Sequence, residues 1–247
     1  MSASSNETVA HTVAAIRWPA LIARLRDIAR RYPDAAMASS LAAEDMVLTH
    51  AIAESETGLH IFTLDTGRLH PETLGMIDVV RDRYGIEIEV FRPNAAEVDA
   101  HVQAHGAFAF YESVDLRKAC CHIRKVEPLQ RALEARAAWL TGQRREQAAT
   151  RVALPEEGHD DTFGLYKFNP LAEWSHDEIW HAIEAFGVPY NPLHDQGYPS
   201  IGCDPCTRPV RPGEDVRAGR WWWEQADSKE CGLHAGNRPA IPIKQAH

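Results

Sequence analysis

The sequence predicts an α/β protein built on a doubly wound, mainly parallel sheet, and two observations carry that prediction. From residue 18 to about 187, short strand-like segments alternate with segments of helical spacing, and strands separated by helices pair in parallel with helices on both faces. The texture then changes, because residues 187–215 are rich in Pro, Gly and Asp, which predicts a loop-rich lobe appended to the sheet. With 247 residues, 45% of them hydrophobic, the chain can bury a substantial core.

Residues 1–15 read as a loose polar arm. Residues 18–31 place Leu21, Ile22, Leu25 and Ile28 on one helical stripe. Residues 35–39 form a strand of small side chains, and a helix follows over 44–54 with Met46, Val47, Leu48 and Ile52 as its apolar positions. Residues 59–65 are a buried strand. Pro71, a residue type suited to a first turn, opens a helix that runs to about Tyr84. Residues 86–91 alternate with period two as a third strand, and residues 137–142 are a fourth. Ser175 with Glu178 makes a capping box, stapled by Trp174 on Ile179, for a helix ending near Gly187. No internal repeat or low-complexity linker interrupts this order.

The formal net charge of −9 argues against a general binder of nucleic acid or membrane surfaces. Any anionic ligand must then be met by a local cluster of Arg and Lys. No apolar run reaches the length of a membrane span, and the first residues lack the basic and apolar regions of a signal peptide. The expectation is a cytoplasmic protein, where thiols stay reduced and paired cysteines more often bind metal than form disulfides.

In an open α/β sheet, ligands sit beyond the carboxyl ends of the strands, and three such ends carry suitable chemistry. The first is Ser39-Ser40-Leu41-Ala42-Ala43-Glu44-Asp45. Its small residues let backbone N–H groups approach an anion, and the following helix N-terminus favours negative charge. It is not a Walker A loop, having neither a Gly-rich run nor Lys-Ser/Thr, and an ordinary Ser-capped helix is the alternative. The second is Asp65-Thr66-Gly67, ahead of Pro71-Glu72-Thr73; Gly67 permits close backbone approach, and a plain strand–turn–helix is the alternative. The third is Thr141-Gly142-Gln143-Arg144-Arg145, with Thr150-Arg151 beyond it. Guanidiniums at a strand end suit phosphate or sulfate, against the usual reading of a solvated charge run.

All five cysteines fall in three places: Cys120-Cys121, Cys203-Asp204-Pro205-Cys206, and Cys231 near the end. Two close pairs can surround one metal centre, leaving the fifth thiol free. Vicinal Cys120 and Cys121 reach one small tetrahedral ion awkwardly from a helix, whereas an iron–sulfur cluster offers each thiolate its own iron. A structural zinc site and unliganded or disulfide cysteines remain alternatives.

In order along residues 35–235, several of these motifs stand together. They are Ser39-Ser40 with Ala43-Glu44-Asp45, Asp65-Thr66-Gly67 with Pro71-Glu72-Thr73-Leu74, and Cys120-Cys121 with Arg124-Lys125-Val126-Glu127-Pro128-Leu129. Thr141-Gly142-Gln143-Arg144-Arg145, Cys203 with Cys206, and Glu230-Cys231-Gly232-Leu233-His234 complete the set. The chain thereby resembles the sulfonucleotide (PAPS) reductase family, and within it the assimilatory adenosine 5′-phosphosulfate (APS) reductases. Leu41-Ala42 departs from the Phe-Gly of many relatives.

The resemblance implies a PP-loop adenine-nucleotide α-hydrolase-like fold and one 4Fe-4S cluster held by Cys120, Cys121, Cys203 and Cys206. It implies that Cys231 attacks the sulfur of APS, releases AMP and carries the sulfonate as S-sulfocysteine, from which thioredoxin (or glutaredoxin) frees sulfite. Relatives preferring the 3′-phosphorylated nucleotide, PAPS, usually lack the two cysteine pairs. The expected division is an arm over 1–15, a nucleotide-binding and cluster domain over 16–215 with a loop-rich lobe carrying part of the iron–sulfur site, and a tail over 216–247. A homo-oligomer is compatible with all of this. Lys125 follows Cys121 by one helical turn and is expected beside both cluster and ligand, while His234 is a candidate to activate Cys231. Substrate-binding candidates are Ser39, Ser40, Glu44, Asp45, Asp65, Thr66, Gly67, Arg144, Arg145, Arg151, Arg217 and Arg220. The last two lie three apart on a predicted helix before Trp221-Trp222-Trp223, a run expected to pack rather than to stack a base. The rival classes are a PAPS reductase, a PP-loop iron–sulfur enzyme acting on RNA, and a nucleotide-binding module with structural zinc.

Overall fold

A computed structural model describes residues 13–147 and 153–224. Arg151, Cys231 and His234 lie outside the described residues. Six strands form one sheet: β1 (Ala36–Ser39), β2 (His60–Leu64), β3 (Glu89–Phe91), β4 (Ala138–Leu140), β5 (Glu157–Asp160) and β6 (Leu165–Phe168). Their spatial order is β3-β2-β1-β4-β6-β5, with every pairing parallel except β5 on β6.

Alternation across the sheet explains its two-sided burial. Ala36, Phe62 and Trp139 face one layer, while Met37, Ile61 and Leu140 face the other. The second face is covered by α1 (Trp18–Arg31), α2 (Ala43–Ser55), α3 (Pro71–Tyr84) and α7 (His176–Phe186) through Leu25, Ile28, Met46, Leu48, Val80 and Ile183. The first face is covered by α6 (Glu127–Leu133) through Leu129 and Leu133. Helices on both faces of a mostly parallel sheet make this the doubly wound fold that the element pattern predicts. The capping box of α7 forms as predicted: Ser175 accepts from Glu178 N and Glu178 accepts from Ser175 N. None of the helices formed by the described residues is long and apolar enough to cross a membrane.

Several elements differ from the sequence expectation. Helical structure begins at Val13, which is buried at the start of a π-helical turn over Val13–Arg17, so residues 13–15 are not part of a loose arm. Only Glu89–Phe91 of the predicted 86–91 strand pairs. Strands β5 and β6 and the helix α4 (Ala95–His105) were not anticipated, and of α5 (Val114–Cys121) only the end bearing the cysteine pair was read as helical. The Glu-Gly-His-Asp of β5 has no apolar alternation, and the strand exists because β6 supplies its hydrogen bonds. Arg217 and Arg220 are not on a helix: the chain there runs in turns, Arg220 N donating to Arg217 O, and Arg220 bridges Thr207.

Two features position the site. A second π-helical turn, His122–Val126, joins α5 to α6, so helical structure continues from Val114 to Leu133. Pro128, which lacks an N–H and crowds the carbonyl four residues back, lies two residues after that wider turn. The loop-rich lobe is tied to the body by hydrogen bonds. Asn191 Nδ2 donates to Thr73 Oγ1 (2.9 Å), Asp204 N donates to Arg68 O (2.8 Å), and Leu69 bridges Cys203.

Candidate active site

Strand β1 feeds β2 and β3 on one side, while β4 lies on its other side. The strand order therefore reverses between β1 and β4, where an open α/β sheet leaves a crevice at the carboxyl ends. A cleft of about 630 Å³ opens there, a size suited to a nucleotide-scale ligand. Its walls bring together Ser39, Ser40, Glu44, Asp45, Thr66, Lys125, Gly142, Arg144, Arg217 and Arg220.

The loop after β1 is not a Ser-capped helix start. Ala42 is the N-cap residue, with ordinary extended backbone, and no side chain caps the helix there. The left-handed turn falls instead on buried Leu41 (φ +61°), a conformation costing a non-glycine residue about 1–2 kcal/mol. Ala in place of Gly at position 42 therefore carries no backbone penalty. The first α2 amide is met from the lobe, Ala43 N donating to His194 Nε2 at 3.2 Å. That bond requires a neutral imidazole protonated on Nδ1, and burial pushes the His194 pKa down, against the opposing pull of Glu44.

Asp45, in the cleft wall, also acts as a brace. It accepts from Ser40 N and Ser40 Oγ (both 2.6 Å) and from Gly142 N (3.0 Å), which ties the β1 loop to the end of β4. Burial pushes its carboxyl up to about 6 despite those bonds. Gly142 is required for the contact, since a methyl group at that position would overlap Asp45 Oδ1. Gly142→Ala is accordingly expected to cost about 1–3 kcal/mol of stability and to weaken nucleotide binding. Thermal unfolding and a binding titration check this, and an unchanged Tm would show that the loop has room to yield.

The cations divide sharply. Arg144 is buried, and its Nε and Nη2 fork onto Glu44 Oε1 (3.0 and 2.9 Å) while Nη1 donates to Trp174 O. Glu44 and Arg144 thus satisfy one another instead of forming a free clamp. Arg145 turns away from the cleft, donating to Leu154 O and Glu173. Lys125, Arg217 and Arg220 line the cleft wall, where Arg220 Nη1 donates to Ser200 Oγ (3.2 Å) and Ile201 O (3.1 Å). Asp65 and Gly67 are not in that wall. Asp65 accepts from Gly67 N (2.9 Å) and Arg92 Nε (3.0 Å), and Gly67 takes a left-handed φ of +68°, so the pair shapes a turn. Thr66 does reach inward, its Oγ1 lying 3.3 Å from Cys203 Sγ.

Cys120, Cys121, Cys203 and Cys206 line a single second cavity, with Arg68, Arg117 and Arg124 around it. The end of α5 and the π-turn after it present Cys120, Cys121, Arg124 and Lys125 to this one space. Burial and then the neighbouring Cys203 push the Cys206 thiol up to about 12, and burial also raises Cys120. A cation bound among such thiols favours their thiolate form. No group of three or more described His, Cys, Asp or Glu side chains is placed to hold a metal ion; the four thiols line one small common cavity. Four soft sulfur donors there are the ligand set of an iron–sulfur group or of zinc.

Lys125 and Trp221 line both the cleft and the cysteine cavity. Trp221 is buried between the guanidiniums of Arg117 (4.6 Å) and Arg220 (4.8 Å), and Arg117 forks onto Glu224. The tryptophan run is thus packing at Trp221, as expected. Sequence reasoning missed His194, Arg117 and Glu224. Their partners lie on separate elements, and no motif connects them.

Comparison with known proteins follows the same lines. The family profile of the phosphoadenosine phosphosulfate reductase domain matches residues 34–209. A protein named adenosine 5′-phosphosulfate reductase from Burkholderia cepacia is 61% identical, over 90% of this chain and 89% of its own. One of the same name from Neisseria meningitidis serogroup B is 54% identical, over 90% and 91%. Among solved structures, phosphoadenylyl-sulfate (PAPS) reductase from Candida auris superposes with a TM-score of 0.66 at 25% identity, covering 84% of this chain and 98% of that one.

Proposed function

The chain belongs to the phosphoadenosine phosphosulfate reductase domain family, and from that premise we propose that it reduces APS to sulfite and AMP with a protein dithiol, thioredoxin or glutaredoxin, as electron donor. The observation that carries the reading is the common wall of Lys125 and Trp221 between an anion-ready cleft at the β1/β4 switch point and a cavity ringed by four thiols. Relatives of 46–61% identity carrying the APS reductase name support APS over PAPS as substrate. A cytoplasmic setting, where such thiols stay reduced, accords with this chemistry.

In this reading the adenylate lies over the Ser39–Ser40 loop and the α2 N-terminus, where backbone N–H groups favour an anion. Lys125, Arg217 and Arg220 neutralise the phosphosulfate. The Glu44–Arg144 pair and Asp45 hold the loop in shape. Cys231, carried by the tail, supplies the thiolate: its sulfur bonds to the sulfate sulfur, the S–O bond to AMP breaks, and AMP departs with that electron pair. His234 is the candidate base for the thiol, and Arg151 a further candidate contact. Cys120, Cys121, Cys203 and Cys206 hold a 4Fe-4S cluster. When bound, that group supplies a structural and electrostatic centre beside the cleft.

Mixing the iron-loaded enzyme with APS and no reductant is expected to release one AMP per chain and to add a sulfonate mass to the peptide containing Cys231. PAPS under the same conditions should react far more slowly. A sulfonate on any other residue, or AMP release that continues past one equivalent, would contradict the covalent route.

A further inference from the structure

Among the described residues, seven large hydrophobic side chains are exposed beyond a third of their surface, and three of them adjoin. Phe108 (61%), Tyr111 (40%) and Trp222 (39%) form one face, with Phe108 stacked on Tyr111 (6.5 Å) and Tyr111 edge-on to Trp222 (6.1 Å). Trp223 backs the face, 4.4 Å from the Tyr111 ring. The patch is preformed: Tyr111 donates its hydroxyl proton to Pro205 O (2.6 Å), and Arg68 packs its guanidinium on Phe108 (5.5 Å). Neither the cleft nor the proposed chemistry uses these three rings. A contiguous exposed aromatic face held in place by a hydrogen bond and a cation–π contact marks an interaction surface, and Tyr, Trp and Phe are the residues that anchor protein interfaces.

Its position says which partner fits. Trp222 lies two residues before Glu224, where the described chain ends, and Cys231 is seven residues further on. Seven residues span at most about 25 Å. A protein that attacks Cys231 must therefore sit within that radius of Glu224, and the aromatic face borders that point. We propose that Phe108, Tyr111 and Trp222 form the docking face for the protein dithiol that regenerates the enzyme. The inference rests on the proposed function, since it takes Cys231 as the sulfonated residue. On this face the partner's thiolate attacks Cys231 Sγ, an S–S bond forms, and sulfite leaves with the electrons of the broken S–S bond. The partner's second thiolate then displaces the Cys231 thiolate, and the partner leaves as a disulfide, oxidised by two electrons.

The test uses Phe108→Ala, Trp222→Ala and their double variant as iron-loaded enzymes, with reduced thioredoxin and, separately, dithiothreitol as donors. Iron content and the single-turnover release of AMP should match the parent, as should sulfite release by dithiothreitol. With thioredoxin, kcat/KM should fall about tenfold or more in the double variant. An unchanged thioredoxin kcat/KM overturns the docking face, as does an equal loss with dithiothreitol. Loss of a dimer by sedimentation, with thioredoxin kinetics unchanged, assigns the face to a second copy of the chain and also overturns the proposal. Absence of an AMP burst in the parent enzyme instead strikes the proposed function itself and removes the basis for the docking face.

Discussion

Cys203→Ser is expected to strip the protein of iron and of activity together. Cys203 is buried against the loop that follows β2, its backbone bridging Leu69, its sulfur 3.3 Å from Thr66 Oγ1, and its neighbour Asp204 bonded to Arg68 O. Serine preserves the backbone contacts but replaces a soft sulfur donor with a hard oxygen in a cavity ringed by three other thiols. Removing even an outer-shell partner of a metal site typically costs about 10–100-fold, so loss of a donor should exceed that. Iron and acid-labile sulfide are measured alongside sulfite production. Because Asn191, Asp204 and Tyr111 still tie the lobe to the body, the variant should remain folded by circular dichroism. A Cys203→Ser protein with full iron and full activity would end the cluster assignment. These hydrogen bonds tie the lobe to the body independently of the cysteine site.

Arg117→Met should destabilise the fold by about 3–5 kcal/mol. Arg117 is fully buried, its side chain 0% exposed against 3% for Glu224, and two parallel hydrogen bonds of 2.8 Å join them. Removing the guanidinium leaves a carboxylate buried without its partner and strips one cationic face from Trp221. Methionine keeps the packing volume, so the loss reports charge rather than a cavity. The expected drop in Tm is about 10 °C for a chain of this size. Arg117→Met combined with Glu224→Gln should recover part of it, because the uncompensated charge is gone. If the single variant melts with the parent, the ion pair is not what anchors the chain after Trp221.

Much of the fold was legible locally. Pro71 at a first turn, the Ser175–Glu178 capping box and the apolar stripe over 18–31 each act within a few residues of chain, and each produced its element. Strand β5 was not legible, since an edge strand without apolar alternation is defined by the neighbour that pairs with it. Helix α4 was missed as well, and α5 was expected only around its cysteine pair. None of the described α4 residues is buried, so no core-facing stripe marks it.

At the site, the sequence by itself determined which residues were available: two cysteine pairs, a small-residue loop after the first strand, and arginines after the fourth. Residue types and short spacings carry that information. What each group does was decided only in three dimensions. Arg144 and Arg145 are adjacent in the chain, yet one forks onto Glu44 at the cleft and the other reaches Glu173 outside it. Asp45 resembles a ligand contact, and its bond to Gly142, 97 residues away, shows it bracing two strand ends as well. His194 meets the α2 N-terminus from 151 residues away. A charged or polar group is satisfied by whatever the fold places within about 3 Å of it. That proximity depends on strand order and lobe placement, which no local spacing encodes.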